Sequence, residues 1–439
     1  MATQSELYRD IKKMLHNREI SNASASSIVS RYAGGLSARA LKLRFKHLIH
    51  RLLHSSRFPA VNFADGADTF YKNYAKEISS DGKDILLISH EMTLTGAPRA
   101  LLSLAVELRQ AGLRPLIVSL RGGGLLPEAE AAGIEVKVDP LFFSTFSGRE
   151  FTAGKVIATF PTTVYNTLDV IVKAPRLPEG ASTRTIGWIH EAVQGYEKAE
   201  GIERFDEAVR LLDEVYAVSG LAAEIAAERC NGAKNIGILP ICILPAECAS
   251  RTNPQGSLGV AGRRMRFLVA GSISHWKGCD IVDIAISMLP KSLRNRIRVE
   301  FAGAPTESNV VESLKAHGSE LVVLTGQMPH DELAEHMRKS DVVLCPSLDE
   351  SLSMVCIEAM QMGKPVITTD ATGISSFMRN MRDGIIVNAG SAKALAEAMR
   401  LAVENPDAMA ELGIEGKNVY LSNFTPGHFR EAVRKIFVK

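Results

Sequence analysis

The chain has 439 residues, of which 46% are hydrophobic and 23% charged, with a formal net charge of +2 at pH 7. This length suits two or three domains, and the composition is ordinary for a soluble globular protein. No apolar run approaches the roughly 18 residues that a membrane-spanning helix needs, and the first thirty residues lack the apolar stretch of a signal peptide. The six cysteines form no CxxC pair and show no zinc-site spacing. We therefore expect a cytoplasmic protein with reduced thiols and no metal site.

The N-terminal region is basic. Residues 1–80 carry 13 Lys and Arg against 6 Asp and Glu. Within them, residues 37–58 contain six Lys or Arg, three His and no acidic residue, with apolar side chains at helical spacing. Such a helix can lie on an anionic membrane surface or pack on a domain with its basic face solvated, and both alternatives stay open. Nucleic acid is a third alternative, but no nucleic-acid-binding pattern accompanies the segment, so we expect no such partner.

From residue 84 onward, short apolar strands alternate with amphipathic helices. A helix that includes Pro98 in its first turn and ends at Gly112 follows the first strand. The interval from Ala246 to Arg264 is rich in small and turn-forming residues, which predicts a linker. The strands predicted before this linker are Ile85–Ser89, Leu116–Leu120, Lys155–Thr159, Val170–Val172, Thr185–Ile189 and Glu214–Val218.

The same alternation restarts after the linker. A helix is predicted at Ile281–Leu289 and a last helix at Pro426–Phe437. The predicted strands here are Phe267–Ala270, Arg298–Ala302, Val322–Thr325, Val342–Cys345 and Val366–Thr369.

This order predicts an α/β protein with two Rossmann-like, doubly wound parallel sheets. We expect a basic helical extension over residues 1–80, a first domain over 81–250 and a second over 251–439, with the last helix packing back on the first domain. In open parallel sheets, ligands bind beyond the carboxyl ends of the strands. The predicted site is therefore the cleft between the two sheets.

One predicted helix, Leu352–Met362, is apolar on every face except for a single acid, Glu358. A helix that is apolar all round is buried, and a buried carboxylate costs several kcal/mol unless it is paired or hydrogen-bonded. Glu358 is therefore either half of a buried ion pair with Lys or Arg, or an acid that accepts hydrogen bonds from ligand hydroxyls. Ser351 or Ser353 is the expected N-cap.

A second acid, Glu350, lies in the loop before this helix, at the carboxyl end of a strand. Free backbone N–H groups at the helix start, together with the helix dipole, favour an anion there. A bound phosphate would lie between the two glutamates along the chain. The residues predicted to supply these N–H groups are Ser351, Leu352, Ser353 and Met354.

Three further loops follow predicted strands and have both an ordinary and a functional interpretation. Lys277 lies in GSISHWKG and offers a point charge to a phosphate, although many loops of this kind are solvated turns. Gly96 lies in TGAP, where glycine lets backbone approach a ligand or simply makes a tight turn. His190 follows a strand in WIHE, where a histidine is either structural or catalytic.

Together these segments resemble the retaining glycosyltransferases of family 4, also called group 1, which have the GT-B fold of two Rossmann-like domains. Residues Pro346–Ile367 match the family motif PSxxEGFGxxxxEAMAxGxPVI, with its two glutamates in E-x7-E spacing. Leu324–Pro329 with Leu333 resembles GxVPxxEL, and Ala217–Ser219 resembles AVS. The resemblance covers roughly residues 84–420.

The resemblance implies a nucleotide-sugar donor, UDP- or GDP-linked, and no bound cofactor or metal. It implies that Glu358 binds the ribose hydroxyls, Glu350 contacts the sugar and Lys277 holds the diphosphate, while His190 lies by the transferred sugar. The chain departs from the family at Ser272, where an arginine usually stands. Arg99, Arg263 and Arg264 are candidates to replace that charge. The remaining donor-binding residues are predicted to be Gly96, Ser272, Ser351, Leu352, Ser353 and Met354.

The expected activity is a metal-independent, retaining hexosyltransferase reaction onto a glycan or lipid-linked acceptor in surface polysaccharide biosynthesis. The basic segment 37–58 would then place the protein at the inner face of the plasma membrane. Two alternatives remain open. One is another GT-B activity, a nucleotide-sugar epimerase or a phosphorylase. The other is an inactive GT-B binding protein, which the departure at Ser272 favours.

Overall fold

The computed structural model describes residues 61–78, 81–143, 152–243 and 263–438, with side chains from residue 69 onward. The basic segment 37–58 and most of the predicted linker lie outside the described residues. Both sheets belong to one compact unit. Helix α1 (Val61–Glu77) precedes the first sheet in the chain.

The first sheet has seven parallel strands in the order β3-β2-β1-β4-β5-β6-β7. Its strands are β1 (Asp84–Ser89), β2 (Arg114–Ser119), β3 (Glu135–Val138), β4 (Thr162–Asn166), β5 (Arg184–Ile189), β6 (Glu214–Ala217) and β7 (Ile236–Ile238). Its helices are α2 (Gly96–Gln110), α3 (Leu126–Ala131), α4 (Ala153–Ile157), α5 (Leu168–Ile171), α6 (Val193–Lys198), α7 (Phe205–Leu211) and α8 (Gly220–Arg229).

The second sheet has six parallel strands in the order β10-β9-β8-β11-β12-β13. Its strands are β8 (Met265–Ala270), β9 (Ile297–Ala302), β10 (Val322–Gly326), β11 (Val342–Cys345), β12 (Val366–Thr369) and β13 (Ile385–Val387). Its helices are α9 (Cys279–Met288), α10 (Lys291–Arg294), α11 (Ser308–Ala316), α12 (His330–Lys339), α13 (Met354–Gln361), α14 (Ala392–Glu404), α15 (Pro406–Asn423) and α16 (Pro426–Phe437).

Strand burial explains why the sheets form as they do. Every residue of β1, β11 and β12 is buried, as expected for parallel strands covered by helices on both faces. In each sheet the strand order reverses once, between β1 and β4 in the first and between β8 and β11 in the second. Ligands of open parallel sheets bind at such switch points, beyond the carboxyl ends of the strands. The predicted α/β fold with two doubly wound sheets is confirmed.

Two of the strand predictions are wrong. Residues 155–159 and 170–172 were expected as strands, but they fall in the short helices α4 and α5 and the turns that end them. Both segments are brief apolar runs, whose periodicity does not separate a buried helical turn from a strand. The strand between them is β4, which the spacing of the apolar residues did not indicate.

The C-terminal helix α16 returns to the first sheet's helices. Arg430 forms an ion pair with Glu107 of α2, with Nε 2.8 Å from Oε2. Phe429 stacks with Trp188 of β5 at a centroid distance of 6.4 Å. None of the described helices combines the length and the apolar character that crossing a membrane requires.

Candidate active site

The loop between β11 and α13 carries Glu350. Its backbone N–H donates to the Ala371 carbonyl at 3.1 Å, and its carbonyl accepts from the Gly373 N–H at 2.8 Å. The Glu350 side chain is 18% exposed. Its Oε2 accepts a 2.7 Å hydrogen bond from the Ser347 hydroxyl. Backbone and side chain are both held, so the carboxylate has a defined position at the carboxyl edge of the second sheet.

Helix α13 begins at Met354, two residues later than predicted. Ser353 is its N-cap, and the Ser353 hydroxyl accepts a hydrogen bond from the Cys356 N–H at 3.4 Å. This contact satisfies one of the free amides at the helix start, which fixes where the helix begins. The residues with the predicted phosphate-binding N–H groups lie at this junction, in the loop and the first turn: Ser351, Leu352, Ser353 and Met354.

The loop after β8 packs closely on the loop after β11. Gly278 has a φ of 69°, and a Cβ at this position would collide with the Pro346 carbonyl oxygen. The Trp276 carbonyl accepts a hydrogen bond from the Leu348 N–H at 2.9 Å. The two loops lie side by side because the strands that they follow, β8 and β11, pair directly with each other. A glycine is therefore required at 278 for this close approach.

The close packing of the two loops brings Lys277 to Glu350. The Lys277 Nζ lies 3.0 Å from Glu350 Oε1. Burial opposes the charge of the Lys277 ammonium, but attraction to Glu350 outweighs it and raises the pKa of the lysine. The ammonium is thus charged at neutral pH. Lys277 keeps further N–H donors, since an ammonium has three.

Glu358 has a partner that the sequence did not indicate. Its side chain is 13% exposed, and its Oε1 accepts a 2.9 Å hydrogen bond from Nε2 of His330, the first residue of α12. The His330 side chain is 67% exposed, and the hydrogen bond to Glu358 raises its pKa. Among the described residues, the acid is therefore neither bare nor paired with Lys or Arg. An exposed histidine 28 residues away in the chain carries no periodic pattern, so sequence reasoning missed it.

His190 follows β5 in the first half of the protein. Its ring lies 4.4 Å from the Trp188 ring, and within the described part of the chain its Nε2 is buried with no hydrogen-bond partner. Burial, together with the charge of His90, lowers the pKa of His190 to about 3. The imidazole is therefore neutral at physiological pH, and no group in the described ranges forms a hydrogen bond with its Nε2.

Glu191 holds the backbone around His190. Its Oε2 accepts from the His190 N–H at 2.9 Å, and its Oε1 accepts from the Leu168 N–H at 3.2 Å. Burial raises the pKa of Glu191 to about 7 despite these two hydrogen bonds. The segment after β5 is thus fastened to the start of α5, at the carboxyl edge of the first sheet.

Gly96 is the first residue of α2, and Asn166 holds the neighbouring backbone. A Cβ at Gly96 would meet no heavy atom of the described residues within 4 Å. The Asn166 Nδ2 donates to the Ala97 carbonyl at 3.2 Å, which connects this loop to the end of β4. Packing therefore does not require a glycine at 96, and the position leaves room for a ligand.

Ser272 lies two residues after β8 and follows Gly271, whose φ of 127° favours glycine. Of the arginines considered as replacements for the usual family arginine, Arg263 and Arg264 precede β8, at the opposite end of that strand. They pair with Asp341 and Glu320 respectively. Arg99 of α2 lies 3.4 Å from Glu128, and its positive charge opposes the rise in the pKa of His330. The charge of Arg99 therefore acts on His330, the hydrogen-bond partner of Glu358.

Loops from the two halves meet at the candidate site. The Ser219 hydroxyl donates to the Ser351 carbonyl at 2.5 Å, and the Gly220 N–H donates to the Ser376 hydroxyl at 3.1 Å. The structure thus brings Lys277 and Glu350 into contact and places Glu358 on the adjoining helix. No group of three or more His, Cys, Asp or Glu arranged to hold a metal ion occurs among the described residues.

Comparison with known families identifies this architecture. The model for glycosyl transferases group 1 matches residues 251–419, and the model for glycosyl-transferase family 4 matches residues 81–238. The chain belongs to the group 1 glycosyltransferases with the GT-B fold. The predicted family resemblance is confirmed by both halves.

Curated relatives of this group 1 glycosyltransferase match part of its length. An alpha-maltose-1-phosphate synthase from Mycolicibacterium smegmatis is 27% identical over 266 residues, which are 56% of this chain and 67% of the relative. A D-inositol 3-phosphate glycosyltransferase from Arthrobacter is 28% identical over 234 residues, 50% of this chain and 55% of the relative. The matched region thus spans about half to two thirds of these relatives.

Solved structures match the fold over most of the chain. HepE from Anabaena in complex with UDP superposes with a TM-score of 0.66 at 19% identity, covering 80% of this chain and 98% of HepE. The lipopolysaccharide outer core galactosyltransferase WaaB superposes with a TM-score of 0.63 at 13% identity, covering 81% of this chain and 99% of WaaB. At these identities the likeness establishes the fold.

Proposed function

We propose that this chain is a retaining glycosyltransferase that moves a sugar from a nucleotide-sugar donor to a glycan or lipid-linked acceptor. The observation that carries the proposal is the Lys277–Glu350 ion pair, which lies next to the N-terminus of α13. Glu358 lies on that helix. The Lys277 cation suits a diphosphate, and the free amides at the start of α13 suit the negative charge that develops as the diphosphate leaves. The partly exposed Glu358 carboxylate suits a ribose diol.

In the proposed reaction the anomeric C–O bond to the nucleotide breaks and negative charge grows on the diphosphate. Lys277 and the amides near Ser353 would stabilise that charge. The acceptor hydroxyl attacks from the face that the diphosphate leaves and gives its proton to the departing diphosphate oxygen, so the configuration is retained. Glu350 would position the sugar and hold Lys277, and it forms no covalent bond in this scheme.

The donor is proposed to be UDP- or GDP-linked. Solved structures of the fold neighbour HepE with UDP and with UDP-glucose support a uridine donor. The relatives named as alpha-maltose-1-phosphate synthase and D-inositol 3-phosphate glycosyltransferase support transfer of a glycosyl group. We propose that the glycan or lipid-linked acceptor belongs to surface polysaccharide biosynthesis.

A thermal-shift panel of UDP-, GDP-, ADP- and dTDP-sugars tests the proposal, followed by product analysis with the donor that stabilises the protein most. A bound donor raises the melting temperature by mass action, and transfer releases the nucleoside diphosphate. Absence of any shift would favour the inactive binding protein. Epimerised sugar from donor alone would favour an epimerase, and phosphate-dependent glycan cleavage would favour a phosphorylase.

We also propose that residues 37–58 dock on an anionic membrane surface. Six Lys or Arg without an acidic residue favour this location. Co-sedimentation with vesicles containing anionic lipid should fall when all six are changed to Gln in the full chain. Equal sedimentation of the two proteins would contradict the docking role.

A further inference from the structure

Asp349, which the family resemblance did not single out, connects the two halves of the protein. Its Oδ1 accepts a hydrogen bond from the Val193 N–H at 3.0 Å, and its Oδ2 accepts from the Gln194 N–H at 2.8 Å. These donors are the first two amides of α6 in the first half, whereas Asp349 belongs to the loop after β11 in the second half. A carboxylate on free amides at a helix start makes a charge-assisted contact.

On the second half, this contact acts next to Glu350. Glu350 follows Asp349 directly in the chain, and its backbone is held by Ala371 and Gly373 through the two hydrogen bonds described above. Asp349 therefore cannot change position without shifting either those hydrogen bonds or the Glu350 carboxylate.

On the first half, the contact acts next to His190. Val193 and Gln194 follow His190 by three and four residues. Glu191 accepts from the His190 N–H and from the Leu168 N–H, which holds the short segment between β5 and α6 near its start, while Asp349 holds it where α6 begins. One carboxylate thus joins the segment that bears His190 to the loop that bears Glu350.

A second interaction flanks Glu350 on its other side. The Ser351 carbonyl accepts from the Ser219 hydroxyl at 2.5 Å, and Ser219 is also the N-cap of α8. The residues before and after Glu350 are therefore both bound to the first half. Asp349 supplies the charged contact of the two.

We propose that Asp349 is a positioning residue for sugar transfer, which holds the Glu350 loop in register with the His190 segment. This inference rests on the proposed function. It deepens that function by naming how the two halves are aligned around the reacting sugar. Precise alignment matters because a displacement of about 1 Å can lower a rate about 100-fold.

The ordinary alternative is that Asp349 merely caps α6 and stabilises the fold. The two roles differ in what they change. A cap alters the melting temperature, whereas a positioning residue alters kcat with little effect on nucleotide affinity. Lys277 and Glu358, which are proposed to bind the nucleotide, both lie in the second half.

Asp213 provides a matched control. Its Oδ2 accepts from the Thr185 N–H at 2.7 Å and from the Thr185 hydroxyl at 2.8 Å, entirely within the first half. Thr185 lies near the amino end of β5, the edge of the sheet opposite the candidate site. Asp213→Ala thus removes a comparable pair of hydrogen bonds without touching either site segment.

The experiment compares Asp349→Ala, Asp349→Asn and Asp213→Ala with the unaltered full chain. We expect Asp349→Ala to lower kcat about 10-fold to 100-fold while the Kd for UDP, by calorimetry, changes less than about twofold. Asn keeps one acceptor oxygen, so we expect a smaller loss. Asp213→Ala should retain its kcat even if its melting temperature falls.

Hydrogen exchange of the peptide covering residues 190–198 is the second readout. We expect this peptide to exchange at least about tenfold faster in Asp349→Ala and at the original rate in Asp213→Ala, since two amides lose their acceptor. Unchanged exchange, or faster exchange with an unchanged kcat, would overturn the inference.

If the unaltered chain binds and transfers no nucleotide sugar, the proposed function fails and the role in transfer fails with it. The exchange result would still show whether Asp349 holds the segment.

Discussion

The Lys277 ammonium lies 3.0 Å from the Glu350 carboxylate, although the two residues come from loops after different strands. The arrangement is possible because β8 and β11 are neighbours and because Gly278 lets one loop touch the other. Glu350 occupies one N–H of the ammonium, which leaves others for diphosphate oxygens. The ion pair therefore holds the lysine in place without using up its capacity to bind an anion.

Lys277→Ala should abolish most of the activity. It removes the charge that stabilises the leaving diphosphate, and it leaves Glu350 half-buried without its cation. We expect kcat/KM for the preferred nucleotide sugar to fall by about 10²–10³, the range seen when one stabilising donor of a transition state is lost. Steady-state kinetics with that donor is the measurement. The exposed Lys291 on α10 is the control, and Lys291→Ala should retain full activity.

Glu358→Gln should prevent donor binding while leaving the free protein folded. The acid is partnered by His330, whose side chain is largely exposed, and a neutral amide oxygen can still accept that hydrogen bond. The ribose diol would lose a charged acceptor, so the stabilisation by the best nucleotide sugar should disappear from a thermal-shift assay. The matched change Glu397→Gln, on the exposed face of α14, should keep the full shift. A badly unfolded Glu358→Gln protein without donor would mean that the acid is structural.

The strands that sequence reasoning located best are those whose burial is complete. Val342–Cys345 and Val366–Thr369 were predicted with their exact bounds, because four consecutive apolar or β-branched residues between turns have few other structures in an alternating α/β chain. The short helices α4 and α5 were mistaken for strands for the same reason. Local composition does not decide whether such a run pairs with a neighbour.

The candidate site was predictable where the chemistry is local in the chain. Glu350, Ser353 and Glu358 lie within one motif, so their arrangement around a strand, loop and helix follows from the sequence. His330 and Asp349 were not singled out. Each works through a partner on a distant segment, the Glu358 carboxylate for the one and the α6 amides for the other. Contacts of this kind depend on how the loops meet, which no spacing rule gives.

Gly278→Ala should destabilise the protein more than an ordinary glycine change. The residue has a φ of 69°, and a Cβ would also collide with the Pro346 carbonyl oxygen. Gly318 offers the control, since it has a φ of 82° but no described heavy atom within 4 Å of its Cβ position. We expect Gly318→Ala to cost about 1–2 kcal/mol in the free energy of unfolding, the strain of the left-handed region alone. Gly278→Ala should cost more and should also lower transfer activity, because it displaces Lys277. Equal urea-unfolding curves for the two variants would contradict this account.

Transfer should continue in the presence of EDTA. The proposed charge stabilisation comes from Lys277 and the amides at the start of α13, so activity with the preferred donor should be the same before and after chelation. The measurement is the rate of nucleoside diphosphate release at saturating donor, with and without EDTA. Complete loss of transfer that manganese restores would contradict the expectation.

His190 should make the folded state sensitive to acid. Its pKa is about 3 in the folded protein against an ordinary value of 6.5. Below pH 6.5 the unfolded chain therefore binds a proton that the folded protein does not bind. The free energy of unfolding should therefore fall by about 1.4 kcal/mol for each pH unit from 6.5 towards 3 on this account alone. His190→Gln removes this group, and the difference between variant and unaltered protein isolates its effect.

Glu191 acts in the opposite direction and supplies the second arm of the same test. Its pKa is about 7 in the folded protein against 4.5, so between these values the folded protein holds a proton that the unfolded chain has lost. Stability from this group falls as the pH rises from 4.5 to 7, and Glu191→Gln should remove that fall. Urea unfolding of the three proteins at pH 5, 6, 7 and 8 is the measurement. Relative to the unaltered chain, His190→Gln should gain stability towards pH 5 and Glu191→Gln should gain it towards pH 8, because burial penalises the charged form of each side chain. If the free energies of unfolding of the three proteins change in parallel with pH, burial does not penalise the charged form of either side chain.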